Sequence, residues 1–131
     1  MPAVAPAERR VARGRPVWAY QFNLPAPAHD GRPAAAHCLE LPFAFDNFDQ
    51  WSQAPLLAGL NPQVRDGLAS TMHAAWISFV RTGDPNHRPK PQWGRYEEGT
   101  RTTMALDSVT TTNVVGDLAG YRRRPHHPAG R

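Results

Sequence analysis

A single cysteine, Cys38, excludes a disulfide within the chain and cannot build a zinc site unaided. No apolar run approaches the about 18–20 residues needed to cross a bilayer, so no membrane association is expected. The first ten residues, Met1 to Arg10, hold no apolar stretch of the secretory kind, which makes the cytoplasm the default expectation. Positive charge is also scarce where it would matter for nucleic acid. Arg9, Arg10, Arg13 and Arg15 lie near the start, and Arg122, Arg123, Arg124 and Arg131 lie at the end. Together the ends exceed the net charge of +4, and the middle, with seven basic residues against ten acidic ones, is net acidic. Arginine-rich ends bind polyanions without sequence preference, so a specific nucleic-acid surface is not expected.

The chain holds 14 prolines and 10 glycines, which imply many loops, and 40% hydrophobic residues, enough for one packed core. Three units follow from composition: a basic Ala/Pro/Arg-rich segment at 1–15, a folded body at 16–120, and a basic tail at 121–131 expected to be disordered. Ala7 to Arg13 reads as the end of a helix stopped by Gly14. Val17 to Phe22 is the strongest strand, bounded by Pro16 and Pro25. Period two sets Trp18, Tyr20 and Phe22 on one face, with Val17, Ala19 and Gln21 on the other. Two largely apolar faces suit a strand covered on both sides in an α/β sheet.

Asp46 to Gly59 reads as a short helical or irregular cover around Pro55. Asn61-Pro62 then opens the clearest helix, with an N-cap residue before proline at the first helical position. Val64, Leu68, Met72, Ala75, Trp76, Phe79 and Val80 form one apolar stripe. Gly83 and Pro85 end it. A proline-rich loop from Arg88 to Arg101 is expected to be anchored by Trp93 and Tyr96. Thr102–Leu106 and Thr112–Val115 read as short strands.

One histidine stands out. His37 follows the strongest strand, sits after the small residues Ala34, Ala35 and Ala36, and precedes the apolar run Leu41-Pro42-Phe43-Ala44-Phe45. With an ordinary pKa of ~6.5, imidazole can take and return a proton near neutrality. His29-Asp30 reads as a turn pair, and neither His87 nor His126-His127 has the spacing of a zinc site. Cys38 beside His37 raises the possibility of a thiol nucleophile, but adjacent residues in an extended loop point apart.

The segment Ala36-His37-Cys38-Leu39-Glu40-Leu41, with Phe43 and Phe45, resembles the catalytic-histidine segment of type B carboxylesterases, the para-nitrobenzyl-esterase and cholinesterase-like branch of the α/β-hydrolases. The strand before it, the helix ending Ala75-Trp76-Ile77-Ser78-Phe79-Val80-Arg81-Thr82-Gly83-Asp84-Pro85-Asn86, the Trp93 loop and the Thr103-Met104 strand follow in that family's order. The resemblance implies the C-terminal part of an α/β-hydrolase fold: a late sheet strand, the catalytic-histidine loop, a long helix, short edge strands and an incomplete sheet. It makes His37 the catalytic base, Glu40 a structural carboxylate beside the site, and Phe43, Phe45 and Trp51 one wall of the substrate pocket. Core packing is an equal expectation for those aromatics. No metal or cofactor is implied; the substrate of the complete enzyme would be a carboxylic ester.

Two departures qualify the implied activity. Gly-x-Ser-x-Gly occurs nowhere: Ser52, Ser70, Ser78 and Ser108 lack flanking glycines. No Gly-Gly loop offers oxyanion-hole amides, and Glu97, Glu98 and Asp107 follow His37, the wrong order for the orienting acid. The chain thus reads as a fragment of a serine ester hydrolase that is inactive alone. The alternative is a noncatalytic module docking on another hydrolase chain, such as the missing N-terminal portion.

Overall fold

In a computed structural model, residues 4–27, 38–88 and 92–108 are described, together with the backbone of 111–114. Helix α1 (Val4–Val11) opens the chain. Gly14 closes it at φ 67°, with Gly14 N–H donating to Val11 O at 2.8 Å and Arg15 N–H to Arg10 O at 3.0 Å. That paired closure is the Schellman motif, and it needs a left-handed residue at Gly14. Ala7–Val11 are the end of the helix, as expected, and Ala12–Gly14 form its closing turn. Arg101 ties it to the body through Glu8 at 3.3 Å.

Strand β1 (Ala19–Phe22) is shorter than the expected Val17–Phe22. Residue 17 instead anchors a loop: Val17 O accepts from Tyr96 N–H at 2.8 Å. A turn at 38–40 leads into α2 (Leu41–Phe45), followed by two 3-10 turns, Phe48–Trp51 and Pro55–Leu57. These turns are the irregular cover expected around Pro55.

Helix α3 (Pro62–Thr82) has the limits its sequence predicts. Asn61 Oδ1 accepts from Gln63 N–H at 2.9 Å and from Val64 N–H at 3.3 Å, satisfying two otherwise orphaned donors. At the other end, Gly83 adopts φ 77° and its N–H reaches Phe79 O. At ~1.5 Å per residue the helix is about 31 Å long.

Strand β2 (Thr102–Leu106) runs parallel to β1, with Ala19 opposite Thr103 and Phe22 opposite Leu106. Strand β3 (Thr111–Val114) is antiparallel to β2, giving the order β1-β2-β3. The parallel pair needs a long crossover, and α3 lies within that connection. Its Trp76 and Phe79 meet Tyr20 and Trp18 edge-on, at centroid distances of 5.1 and 5.8 Å. Phe22 packs on Phe43 at 5.3 Å, so the two aromatics of β1 and Trp18 just before it share a face as period two requires. The core is centred on Phe43, Met72 and Leu106, all 2% exposed or less. Leu24, Leu68, Trp93 and Met104 surround them.

The Trp93 loop is anchored as its aromatics suggest. Trp93 and Tyr96 are buried, and Trp93 Nε1–H donates to Ala19 O at 2.9 Å. Asn86 clamps the same loop: Trp93 N–H donates to its Oδ1 at 2.6 Å and its Nδ2 donates to Trp93 O at 3.0 Å. The expected tail at 121–131 lies outside the described residues, as does Val115 of the last predicted strand.

Candidate functional site

In α/β sheets, sites form at the carboxyl ends of the strands. The carboxyl end of β1 is Phe22, and α2 sits beside it through the Phe22–Phe43 contact. His37 lies outside the described residues; the three that follow it form the turn leading into α2. Cys38 takes a left-handed φ of 65°, and its carbonyl accepts from Leu41 N–H at 3.3 Å. For a residue with a Cβ this conformation is uncommon, and it bends the backbone sharply into the helix. Pro42 follows in the first turn, where a missing N–H costs nothing.

Glu40 occupies the N-cap of α2 but makes no side-chain cap; its backbone carbonyl accepts from Phe43 and Ala44 N–H. Its side chain is half-buried, and its charge reaches β1. Burial raises the Tyr20 phenol above its ordinary value of 10.0, and the negative charge of Glu40 raises it further.

The expected pocket aromatics separate. Phe43 is fully buried in the core, against Phe22 and Phe48. Phe45 is 62% exposed. Trp51 joins Cys38, Leu39, Pro42, Ala54, Leu56 and Leu57 around a small apolar pocket of about 60 Å³. Ligand pockets usually span ~300–1,000 Å³, so this pocket is too small to enclose an ester with its acyl and alcohol groups. A larger groove, about 460 Å³, lies toward the amino end of β1, away from the turn that follows His37.

Sequence reasoning missed His73. It is half-buried on α3, and its Nδ1–H donates to Ala44 O at 3.0 Å, pinning α2 to α3. Its only sequence signal is a polar residue beside the apolar stripe, next to Met72. Also missed were two buried acceptors, Asn23 Oδ1 just beyond β1 and Asn47 Oδ1 just beyond α2. Neither has a partner among the described residues. No cluster of three or more His, Cys, Asp or Glu suited to a metal occurs among the described residues, and no helix there is long and apolar enough to cross a membrane.

Comparison with known proteins places these elements. The chain is 40% identical over 121 residues to phenmedipham hydrolase of Pseudarthrobacter oxydans, covering 92% of this chain and 23% of that protein. It is 38% identical over 131 residues to para-nitrobenzyl esterase of Bacillus subtilis, covering 98% and 25%. A solved carboxylesterase from Geobacillus stearothermophilus superimposes with a TM-score of 0.70 at 32% identity, over 89% of this chain and 23% of that one. The described sheet and helices are thus part of an α/β-hydrolase fold, and the chain spans about a quarter of the length of these relatives. With the carboxylesterase family model matching residues 1–119, the chain belongs to the carboxylesterase family.

Proposed function

We propose that this chain carries the base of a serine ester hydrolase, His37, and works only with the remainder of a carboxylesterase domain. The observation that carries the reading is the family match over residues 1–119, which runs through the His37 segment of a chain that contains no Gly-x-Ser-x-Gly. In the assembled enzyme His37 takes the proton of a serine supplied by the remainder as it attacks a carboxylic ester. It then returns that proton to the leaving alcohol. Glu40 supports the turn beside it, and Trp51 lines the edge of the acyl or alcohol site.

Alone, the chain has no nucleophile, no orienting acid and no oxyanion hole, whose donors are worth ~2.7–4 kcal/mol each. General-base action by itself contributes only ~10²–10⁴-fold and has nothing to act on. Release of p-nitrophenol from p-nitrophenyl acetate tests this. The isolated chain should match buffer, and His37→Ala should change nothing; His37-dependent turnover by the isolated chain would refute the reading. In the complete domain, His37→Ala should lower kcat by ~10⁴-fold or more.

A further inference from the structure

We infer that His73, on α3, is a positioning residue: through helix α2 it fixes the turn that follows His37. That role rests on the reading of His37 as the base and reaches the reaction only through it. Helix α2 spans five residues, little more than one turn, so its own backbone bonds give it little rigidity. The carbonyls of its last turn have no donor within the helix. Ala44 is buried there, and a buried carbonyl requires a partner. His73 supplies it: Nδ1 stands 3.0 Å from Ala44 O, and because a carbonyl only accepts, Nδ1 carries the proton.

Ala44 is also the residue that grips the turn. Its N–H donates to Glu40 O at 2.9 Å, Phe43 N–H donates to the same oxygen at 3.1 Å, and Leu41 N–H donates to Cys38 O at 3.3 Å. Hydrogen bonds on both sides of Ala44 therefore connect His73 to Glu40, which lies three positions after His37. Within the same turn Cys38 holds its left-handed φ of 65°, a conformation that persists only where the surrounding structure imposes it.

The apolar contacts of α2 act differently. Phe43 packs on Phe22 and Phe48 and keeps the helix against the core. Burial is non-directional, so it sets neither the rotation of α2 nor its slide along α3. A hydrogen bond, with its narrow range of distance and angle, sets both. The donor's own place is secure, since α3 is capped by Asn61 and Gly83 and braced on β1 through Trp76 and Tyr20. A base acts only within hydrogen-bond reach of the proton it takes. Misplacement by about 1 Å costs on the order of 10²-fold in rate.

Two measurements test the role. In the full chain, His73→Leu removes the donor at similar bulk, and His73→Asn returns an N–H on the atom next to Cγ, where Nδ1 stood. Amide exchange at Leu41, Phe43 and Ala44 should quicken at least tenfold in His73→Leu and return toward the parent rate in His73→Asn. For turnover, this chain replaces the matched quarter of Bacillus subtilis para-nitrobenzyl esterase. In that hybrid His73→Leu should lower kcat for p-nitrophenyl acetate at least tenfold with KM nearly unchanged, and His73→Asn should recover most of the loss. Asn61→Ala, which weakens α3 without touching this bond, should leave kcat near the parent value. Unchanged exchange in His73→Leu, an equal loss of kcat in His73→Asn, or a matching loss in Asn61→Ala would each overturn the inference. Parent-like turnover by His73→Leu in a hybrid that His37→Ala inactivates would overturn it alone. Turnover that survives His37→Ala would instead retire the reading of His37 as the base, and the positioning role with it. The exchange measurement reads the same bond with no ester hydrolysed, so it decides against the inference even in a hybrid without turnover.

Discussion

The two halves of α3 obey the same sequence pattern and meet different fates. Leu68, Met72 and Ala75 are buried against Phe43, Met104 and Leu106, whereas Phe79 and Val80, the next members of the same stripe, are 49% and 81% exposed. Trp76 lies between, touching Tyr20 and Trp93 at the border of the core. Helical periodicity tells which face is apolar. It does not tell whether anything stands opposite. The first half has β2 and α2 to pack on; the second runs beyond the described sheet. In a family whose members are about four times as long, the exposed half is the more informative one.

Substitutions can break that contrast, and the largest effect belongs to the buried side. Phe43→Ala should cost about 3–5 kcal/mol of stability in a urea titration, because a fully buried ring leaves a cavity between Phe22 and Phe48. Met72→Ala, on the buried half of α3, should cost about 2–5 kcal/mol by the same measurement. Asn61→Ala removes the acceptor of two backbone N–H groups and should cost about 1 kcal/mol, read as lost helicity and a lower Tm. Val80→Asp should stay within about 0.5 kcal/mol in the isolated chain, despite lying on the same stripe as Met72. A cost as large as that of Met72→Ala would show the two halves to be equivalent.

The smallest expected effect concerns pH. Asp84 is held below its ordinary value of 3.8, chiefly by the Asn86 backbone N–H and next by the Asn86 side-chain amide. A carboxylate with a depressed pKa stabilises the folded state above 3.8, and that stability is lost as pH falls through the lower folded value. Asp84 is solvent-exposed, so screening keeps the contribution small. In acid titration the stabilities of the parent chain and Asp84→Asn should keep a constant small offset above about pH 4 and change relative to each other only below it, with the shallower loss in the variant. An offset that changes near neutrality would mean that the turn after α3 depends on another group.

Much of the fold was legible. Asn61-Pro62 and Gly83 marked both ends of α3, and the alternation in Val17–Phe22 marked a strand on which Trp18, Tyr20 and Phe22 share a face. The run Thr82-Gly83-Asp84-Pro85-Asn86 carries part of the family resemblance, and its geometry supplies the reason. Gly83 closes the helix, Asp84 holds Asn86, and Asn86 binds Trp93 through both side-chain polar atoms. The site was less legible. Phe43, Phe45 and Trp51 look alike as aromatics after a histidine, yet one is in the core, one faces outward, and one lines a small pocket. Helix α2 is only five residues long, too short for periodicity to reveal its inner face.

The sequence by itself determined where α3 starts and stops, which side chains of β1 share a face, and that Trp93 and Tyr96 anchor a loop. Capping, proline and alternation act between residues a few positions apart, so local chemistry is sufficient for the first two. Tertiary structure decided that β1 lies parallel to a strand some eighty residues later, that His73 pins α2, and that only half of an apolar stripe is covered. Those outcomes depend on which surfaces meet, and burial is a property of the pair that meets rather than of either partner alone.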